Sequence, residues 1–254
     1  MKKDIKILVA CHKPYWTPDD DVYYPIHVGA AGKDSIGFPG DDTGDNISLK
    51  NPNFCELTGL YWAWKNLDCD VIGLCHYRRY FAKSGHAGDL SAKKAAIMTH
   101  ADYISALEKA DILLPKKRNY YIETVRGQYE HAHNPKDLAE TERIIAEKYP
   151  AYSAAFTRVM NRKKLHILNM FVMEKSRFDA YCAWLFDILF ELEKRIDITD
   201  YTPYEARVYG FLAERLFNVW LENEPARKQE IPVIFLEDIN WPKKIYEFLK
   251  RKFL

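Results

Sequence analysis

An apolar run that begins at Val71 ends in a cluster of polar side chains: His76, Tyr77, Arg78 and Arg79. The apolar run is typical of a strand buried on both faces. Ligands of open α/β sheets bind beyond the carboxyl ends of the strands, so chemistry is expected at this cluster. Two adjacent guanidiniums suit a phosphate or diphosphate, because each planar fork donates two parallel hydrogen bonds to anionic oxygens. The alternative is that both arginines form surface salt bridges.

Two other predicted elements have polar groups at their end or on one face. His12 comes directly after an apolar strand at residues 5–10. Farther along, a capping box at residues 202–205 predicts a helix on which Arg207, Gly210 and Glu214 share one face. A carboxylate on such a polar face is a candidate general base, and the glycine leaves room for a ligand. The alternative is that Glu214 pairs with neighbouring arginines on the helix surface.

His131 and His133 have the spacing that places both rings on one face of a strand. On a strand, the pair would be a set of metal ligands, a sugar-contacting pair or an ordinary surface pair. Asn134 and Pro135 then predict the start of a helix, so Asp137 has a structural role near its N-terminus.

Composition excludes several classes of protein. Nearly half of the 254 residues are apolar and the aromatic content is high, which excludes a disordered protein. The formal net charge of +1 does not favour a dedicated nucleic-acid binder. Five cysteines without a Cys-x-x-Cys pair indicate a reducing compartment rather than a disulfide framework or a zinc site. The first residues lack the apolar core of a signal peptide, and no membrane span is evident. We therefore expect a cytoplasmic protein.

The order of the predicted elements favours an α/β sheet. The strand at 5–10 is followed by a long loop at 14–50, a helix opened by Asn51 and Pro52, and the strand from Val71. Further strands are predicted at 112–114, 165–173 and 233–236, a loop at 82–99, and a helix capped by Ser176. The acidic stretch at 41–46 is either a divalent-cation site or, because its spacing does not match an EF-hand loop, a solvated turn.

The last residues form a separate predicted unit. Residues 1–240 are expected to form one large α/β domain, and residues 241–254 a basic amphipathic helix. Such a helix suits an anionic membrane surface, and it equally suits a cap on the core or on a dimer partner.

Several stretches together resemble a known family, and the resemblance covers almost the whole chain. They resemble the bacterial glycosyltransferases of capsule and O-antigen gene clusters, some of which are linked to galactofuranosyl transfer. The stretches are Asp45-Asn46-Ile47-Ser48, Glu56-Leu57-Thr58, Gly73-Leu74-Cys75-His76-Tyr77-Arg78-Arg79-Tyr80-Phe81, Asn169-Met170-Phe171-Val172-Met173 and Glu214-Arg215-Leu216. The resemblance implies an α/β, GT-A-like fold with a mixed, mostly parallel sheet flanked by helices. It also implies sugar transfer from a UDP-sugar donor to a glycan or lipid-linked acceptor, at the cytoplasmic face of the membrane.

The resemblance also implies roles for individual residues. The expected catalytic residues are His76, Arg78, Arg79 and, as general base, Glu214. The residues expected on the nucleotide and donor side are His12, Lys13, Asn46, Asn51, Glu56, Tyr77 and Asn169. Those expected toward the acceptor are His131, His133, Asp137 and Arg207.

The sequence departs from the GT-A pattern at one place. Most GT-A enzymes carry an Asp-x-Asp that holds a divalent cation on the diphosphate, whereas the resemblance puts His76-Tyr77-Arg78-Arg79 in that place here. Whether Mn²⁺ or Mg²⁺ participates is therefore open, and no metal ligand is assigned. We expect an arginine to neutralise the leaving diphosphate directly. A nucleotide-sugar hydrolase and a non-catalytic glycan-binding module are the alternative functions.

Overall fold

The computed structural model describes residues 3–85 and 88–237. In this part of the chain the strands are β1 Ile5–Cys11, β2 Tyr23–His27, β3 Val71–His76, β4 Arg79–Phe81, β5 Ile112–Pro115, β6 Arg118–Asn119, β7 Lys164–Leu165, β8 Phe171–Glu174, β9 Lys228–Ile231 and β10 Val233–Phe235. The α-helices are α1 Asn51–Phe54, α2 Leu57–Asn66, α3 Leu90–Ala96, α4 His100–Leu107, α5 Val125–Ala132, α6 Pro135–Lys148, α7 Ser153–Met160, α8 Lys175–Arg195 and α9 Val208–Asn223.

One sheet of eight described strands organises the chain. β3 pairs in parallel with β1 and antiparallel with β8 and β4. β2 is parallel to β1, and β5 and β9 are parallel to each other. Because β5 is antiparallel to β8 and β10 is antiparallel to β4, all described strands of this sheet except β4 and β8 run in the direction of β3. The expected mixed, mostly parallel sheet flanked by helices is confirmed.

Each face of the sheet is covered by its own apolar core. Successive β1 side chains alternate between the two cores, with Ile7 and Val9 on one side and Leu8 and Ala10 on the other. This two-residue period, with both faces apolar, is what a strand buried on both faces requires. The larger core contains side chains of α2 and of α5 to α9, and the smaller one contains Tyr103 of α4.

Local sequence signals hold where they specify a helix start. Thr99 and Asp102 form the expected capping box at α4. The side chain of Asn134 accepts the Lys136 N–H at the start of α6. The hydrogen bonds of the box at Thr202 and Glu205 are also present, although they close a turn and a short 3₁₀ segment before α9 begins.

Several element predictions were wrong. The loop at 14–50 contains β2, and the loop at 82–99 contains α3. The helix opened by Asn51 breaks at Cys55, whose φ of 54° lies in the left-handed region, and resumes as α2. The predicted 165–173 strand is split, with Leu168 and Asn169 at positive φ between β7 and β8. The helix α8 begins at Lys175 and has no side-chain cap.

The acidic stretch is not a solvated turn at its first residue. Asp41 is buried, and its carboxylate accepts the N–H groups of Gly29 and Ala30 at 2.9 and 3.0 Å as well as the Ser48 hydroxyl. A carboxylate satisfied by three protein donors holds the loop closed, so Asp41 has a structural role there.

The predicted C-terminal helix at 241–254 lies outside the described residues. Within 3–85 and 88–237, none of the helices combines the length and the apolarity that crossing a bilayer would require.

Candidate active site

A cleft of about 560 Å³ opens at the carboxyl ends of β1 and β3. Its lining comes from the ends of β1, β2 and β3, the turn between β3 and β4, α1 and the break that follows it, the loop before β8, and the first turns of α9 with the residue before it. The polar residues that line it are His12, Asn51, Glu56, His76, Tyr77, Arg78, Arg79, Asn169, Arg207 and Glu214.

The two adjacent arginines have different surroundings. Arg78 Nη1 donates to Glu237 Oε2 at 2.6 Å, and its guanidinium lies 4.7 Å from the centre of the Tyr77 ring. Arg79 is half-buried, and no carboxylate of the described residues lies within salt-bridge distance of it. Burial, followed by the charge of Arg78, lowers the pKa of Arg79. Arg79 therefore brings a positive charge to the cleft that no described carboxylate neutralises by direct contact.

Glu214 fastens the loop before β8. The Leu168 N–H donates to Glu214 Oε1 at 2.7 Å, and Arg215 Nη1 donates to Glu214 Oε2 at 3.2 Å. Leu168 forms a second hydrogen bond through its carbonyl, which accepts from His76 Nε2 at 2.7 Å. Burial raises the pKa of Glu214, while Arg215 and the Leu168 N–H act in the opposite direction. The loop at Leu168 is thus held from both β3 and α9.

Asn169 presents an unpaired acceptor beside a carboxylate. Its Nδ2 donates to Glu56 Oε1 at 2.8 Å and to the Gly210 carbonyl at 3.4 Å. Asn169 is only 5% exposed, and its Oδ1 is buried without a hydrogen-bond partner among the described residues. A buried acceptor is costly when unpaired, so this oxygen is suited to a donor from a ligand.

The helix break brings α1 close to α9. Arg207 Nε lies 3.2 Å from the Cys55 thiol sulfur, which can accept its hydrogen. A Cβ on Gly210 would lie 3.2 Å from the same sulfur, so a larger residue there would press on the Cys55 side chain. The left-handed backbone at Cys55 then turns the chain so that Glu56 lines the cleft.

A ring cluster forms the wall near β1. The rings of His12 and Tyr77 meet edge to face with centroids 5.1 Å apart, and Tyr15 meets Tyr77 similarly at 5.0 Å. Lys13 Nζ lies 5.7 Å from the centre of the Tyr77 ring. Burial, followed by the charge of Arg78, lowers the pKa of His12, so its neutral form is favoured at neutral pH.

Residues 6–225 match the family model described as Domain of unknown function (DUF4422). The chain belongs to this family. Among solved structures, it is similar to the apo structure of WbbM, a bifunctional glycosyltransferase, with 33% identity and a TM-score of 0.84. The similarity covers 92% of this chain and 46% of WbbM, so the chain spans less than half of that protein. The search of curated proteins finds no match.

The shared fold confirms the GT-A-like, mixed α/β architecture that the resemblance implied. The DUF4422 match also covers the cleft, because every residue that lines it lies between residues 10 and 214.

Most of the residues that we expected at the site meet in this DUF4422 cleft. The cleft lining contains all four expected catalytic residues, and Arg207 from the acceptor set. It also contains five of the donor set: His12, Asn51, Glu56, Tyr77 and Asn169. The fold thus brings these ten side chains into one cleft, and their catalytic and binding roles remain predictions.

Five expected site residues are not part of the lining. Lys13 Nζ lies 5.7 Å from the centre of the Tyr77 ring, outside the lining. Asn46 forms hydrogen bonds within its own turn, with the Gly44 carbonyl and the Ser48 N–H. His131 and His133 do not lie on a strand, because α5 carries His131 and ends just before His133. His131 pairs with Glu123 at 2.9 Å, whereas the His133 ring stacks on Phe211.

Asp137 is the fifth, and it is held within the fold. It is buried, and the Tyr201 hydroxyl donates to its Oδ1 at 2.7 Å. The same tyrosine oxygen accepts from Asn134 Nδ2 at 2.7 Å, so the pair ties the start of α6 to the chain before α9. The structural role that the sequence suggested for Asp137 is therefore present.

Sequence reasoning missed Cys55, Leu168 and Phe211, which also line the cleft. Phe211 follows Gly210 on the predicted helix, so its place beside the polar face was available from the sequence. Cys55 and Leu168 act through left-handed backbone conformations at 54° and 79°, for which neither residue type gives a sequence signal.

The described residues of the cleft do not offer the ligand set of a protein-held metal centre. Within residues 3–85 and 88–237, no group of three or more His, Cys, Asp or Glu side chains is arranged to hold a metal ion. The two cleft carboxylates already accept hydrogen bonds, Glu56 from Asn169 and Glu214 from Leu168.

Proposed function

We propose that the cleft transfers a sugar from a UDP-sugar to a glycan or lipid-linked acceptor, in the synthesis of a cell-surface polysaccharide. The observation that carries the proposal is a half-buried guanidinium without an acid partner among the described residues, in a cleft that also holds two carboxylates. The similarity to WbbM, a bifunctional glycosyltransferase, supports the same reaction class. By the family resemblance, we favour galactofuranose or galactose as the sugar.

Arg79 is proposed to bind the diphosphate. When the bond between the anomeric carbon and the diphosphate oxygen breaks, its electron pair leaves with the diphosphate, and negative charge grows there. A cation already in position stabilises that charge without reorganisation. Arg78 is the second donor, and it would exchange its pairing with Glu237 for the ligand. Guanidinium forks can perform the neutralisation that a divalent cation performs elsewhere.

Glu214 is proposed as the general base. An acceptor hydroxyl that attacks the anomeric carbon must lose its proton, and a carboxylate within reach can take it. Burial raises the pKa of Glu214, which makes the carboxylate a stronger base than an exposed one. The new bond joins the acceptor oxygen to the anomeric carbon, the proton moves to Glu214, and UDP leaves.

Asn169 and Glu56 are proposed to bind the donor sugar. Glu56 carries carboxylate oxygens and Asn169 carries an unpaired carbonyl oxygen, so the two present acceptors side by side. Sugar hydroxyls are suitable donors for both. Arg207 at the α9 end of the cleft is proposed to contact the acceptor.

The test is a transfer assay with the purified full chain. UDP-galactofuranose and UDP-galactose are supplied with and without a galactose-terminated glycan acceptor, and both UDP release and glycan product are measured. Acceptor-dependent product in proportion to UDP would support the proposal. UDP release that is independent of acceptor would favour the hydrolase. If neither occurs and neither nucleotide sugar shifts the melting temperature, the chain is not acting on these donors, and a glycan-binding module becomes the better explanation.

A further inference from the structure

A basic patch lies on the surface beside the cleft. The segments at 116–122 and 162–165 are joined by the small sheet in which β6 pairs with β7, and the Tyr120 N–H donates to the Lys163 carbonyl at 2.8 Å. We define the basic patch as the exposed side chains that these segments bring together: Lys116, Lys117, Arg118, Tyr121, Ile122, Lys163 and Lys164.

The five cations of the basic patch are not paired within the described part of the chain. No described acid lies within salt-bridge distance of Lys116, Lys117, Arg118, Lys163 or Lys164, whereas the neighbouring Arg162 is bound to Glu222 at 2.7 Å. The two segments contain no Asp or Glu. Because the whole chain carries a formal net charge of only +1, this is a local concentration of positive charge.

Two apolar side chains stand among these cations. Tyr121 is 75% exposed and Ile122 is 60% exposed, so neither contributes much to the core. The turn that carries them is fixed by hydrogen bonds from the Tyr121 N–H to Asn119 Oδ1 at 2.9 Å and from the Ile122 N–H to the Tyr120 carbonyl at 2.7 Å. The ordered turn therefore holds an aromatic and an aliphatic side chain next to each other in solvent, where both are accessible to a partner.

The basic patch is close to the mouth of the cleft. It follows the carboxyl end of β5, which runs in the same direction as β3, so both ends lie at the same edge of the sheet. The chain also leaves β7 at Leu165 and reaches the cleft lining at Leu168. Lys164 is four positions before Leu168, and four residues span at most about 14 Å, so the basic patch lies beside the wall of the cleft.

We infer that the basic patch docks the protein on an anionic lipid surface. Lysines and arginines near such a surface are attracted to its phosphates, while a tyrosine and an isoleucine can enter the interface between headgroups and acyl chains. This combination favours a membrane over a soluble polyanion, which would gain nothing from the exposed isoleucine. The inference is carried by the basic patch alone and does not rest on the proposed reaction, although docking here would bring the cleft toward a lipid-linked acceptor.

The test measures co-sedimentation of the full chain with vesicles. Phosphatidylcholine vesicles with and without phosphatidylglycerol are compared at low and high salt. We expect salt-sensitive binding to the anionic vesicles, weakened about 30-fold when Lys117→Gln and Lys163→Gln are combined, because each lysine near the surface accounts for roughly a fivefold change. Tyr121→Ser combined with Ile122→Ser should weaken binding at least about 10-fold, because an apolar side chain can no longer enter the interface.

Matched control variants are available elsewhere on the surface. Lys109→Gln with Lys136→Gln removes the same charge, and Leu49→Ser with Leu90→Ser removes two other exposed apolar side chains. Both should bind as the wild type does, and all variants should keep its melting temperature. Unchanged vesicle binding by the patch variants would overturn the inference, since another part of the chain would then hold the membrane. Lysine-dependent binding to a soluble acidic polysaccharide without vesicle binding would overturn it too.

Discussion

Replacing Arg79 by lysine tests the proposed diphosphate site most directly, because the change keeps the charge and removes the fork. A guanidinium can make two charge-assisted hydrogen bonds to a diphosphate in one plane, whereas an ammonium at the same place keeps about one. A hydrogen bond to a charged group contributes about 1.5–3 kcal/mol. If the lost bond forms fully only as the diphosphate leaves, kcat should fall about 10- to 160-fold.

The neighbouring arginine provides a matched control. Arg78→Lys is the same chemical change one residue away, but the Arg78 guanidinium already pairs with Glu237 at 2.6 Å. Contact with a ligand would exchange one anion for another, so we expect less than about a fivefold loss of kcat, in line with the small contribution of exposed ion pairs. Both variants are assayed for UDP release and glycan product at saturating donor.

Stability separates a catalytic effect from misfolding. Burial lowers the pKa of Arg79, which means that the fold disfavours its charged form. Arg79→Met should therefore leave the melting temperature unchanged or raise it, while transfer falls further than in Arg79→Lys. Such an outcome is expected for a residue retained for function rather than stability. Wild-type turnover by Arg79→Lys would refute the reasoning, as would an Arg78→Lys variant impaired more than Arg79→Lys.

The contacts of Glu214 and Asp137 and the burial of the cysteines each predict a measurable result. Burial raises the folded-state pKa of Glu214, so the contribution of Glu214 to stability is highest at low pH and is lost as the pH rises from the unfolded pKa through the folded one. In urea unfolding at pH 4.5 and 7, the Glu214→Gln variant should therefore lose less stability between the two pH values than the wild type does. The same loss in both proteins would contradict this prediction. Tyr201→Phe removes the hydroxyl that donates to buried Asp137. The free energy of unfolding, measured in urea titrations, should fall by about 1–3 kcal/mol while kcat stays unchanged. Loss of transfer in a folded variant would instead link Asp137 to catalysis. Burial raises the pKa of Cys55 and Cys69 to about 11 and that of Cys11 and Cys75 to about 12. The native thiols should therefore react with a disulfide reagent at pH 7.5 at least about 300-fold more slowly than free cysteine, because less thiolate is present. A native thiol that reacts at the rate of free cysteine would contradict this.

Local patterns in the sequence predicted much of the scaffold. The apolar runs at the starts of β1, β3, β5 and β10 are strands in the structure, and the capping residues Thr99 and Asn134 begin helices as expected. Arg207, Gly210 and Glu214 do line the cleft together, with Gly210 and Glu214 on α9 and Arg207 in the 3₁₀ segment just before it. These features depend on side-chain period or on hydrogen bonds within a few residues, so neighbours along the chain suffice to specify them.

Weak local patterns failed. His131 and His133 have the spacing of a strand face, yet Thr124 caps a helix there and the helix packs on the larger core. β2 lies in a stretch rich in Pro, Gly and Asp, and it forms because β1 offers a parallel edge from Ile7 to Cys11. Tertiary packing overrides such short patterns, because pairing with a distant strand or core contributes more than local preference.

The sequence by itself determined that a strand buried on both faces ends in His76, Tyr77, Arg78 and Arg79, since hydrophobic period and residue type are local properties. Only the tertiary structure decided that the two arginines differ. Glu237, 159 positions along the chain from Arg78, neutralises that residue, while Arg79 is left beside Glu56 and Glu214 without a direct salt bridge to either. Which cation stays available to a ligand depends on how distant segments meet at the end of the sheet, and no pattern within a segment encodes that meeting.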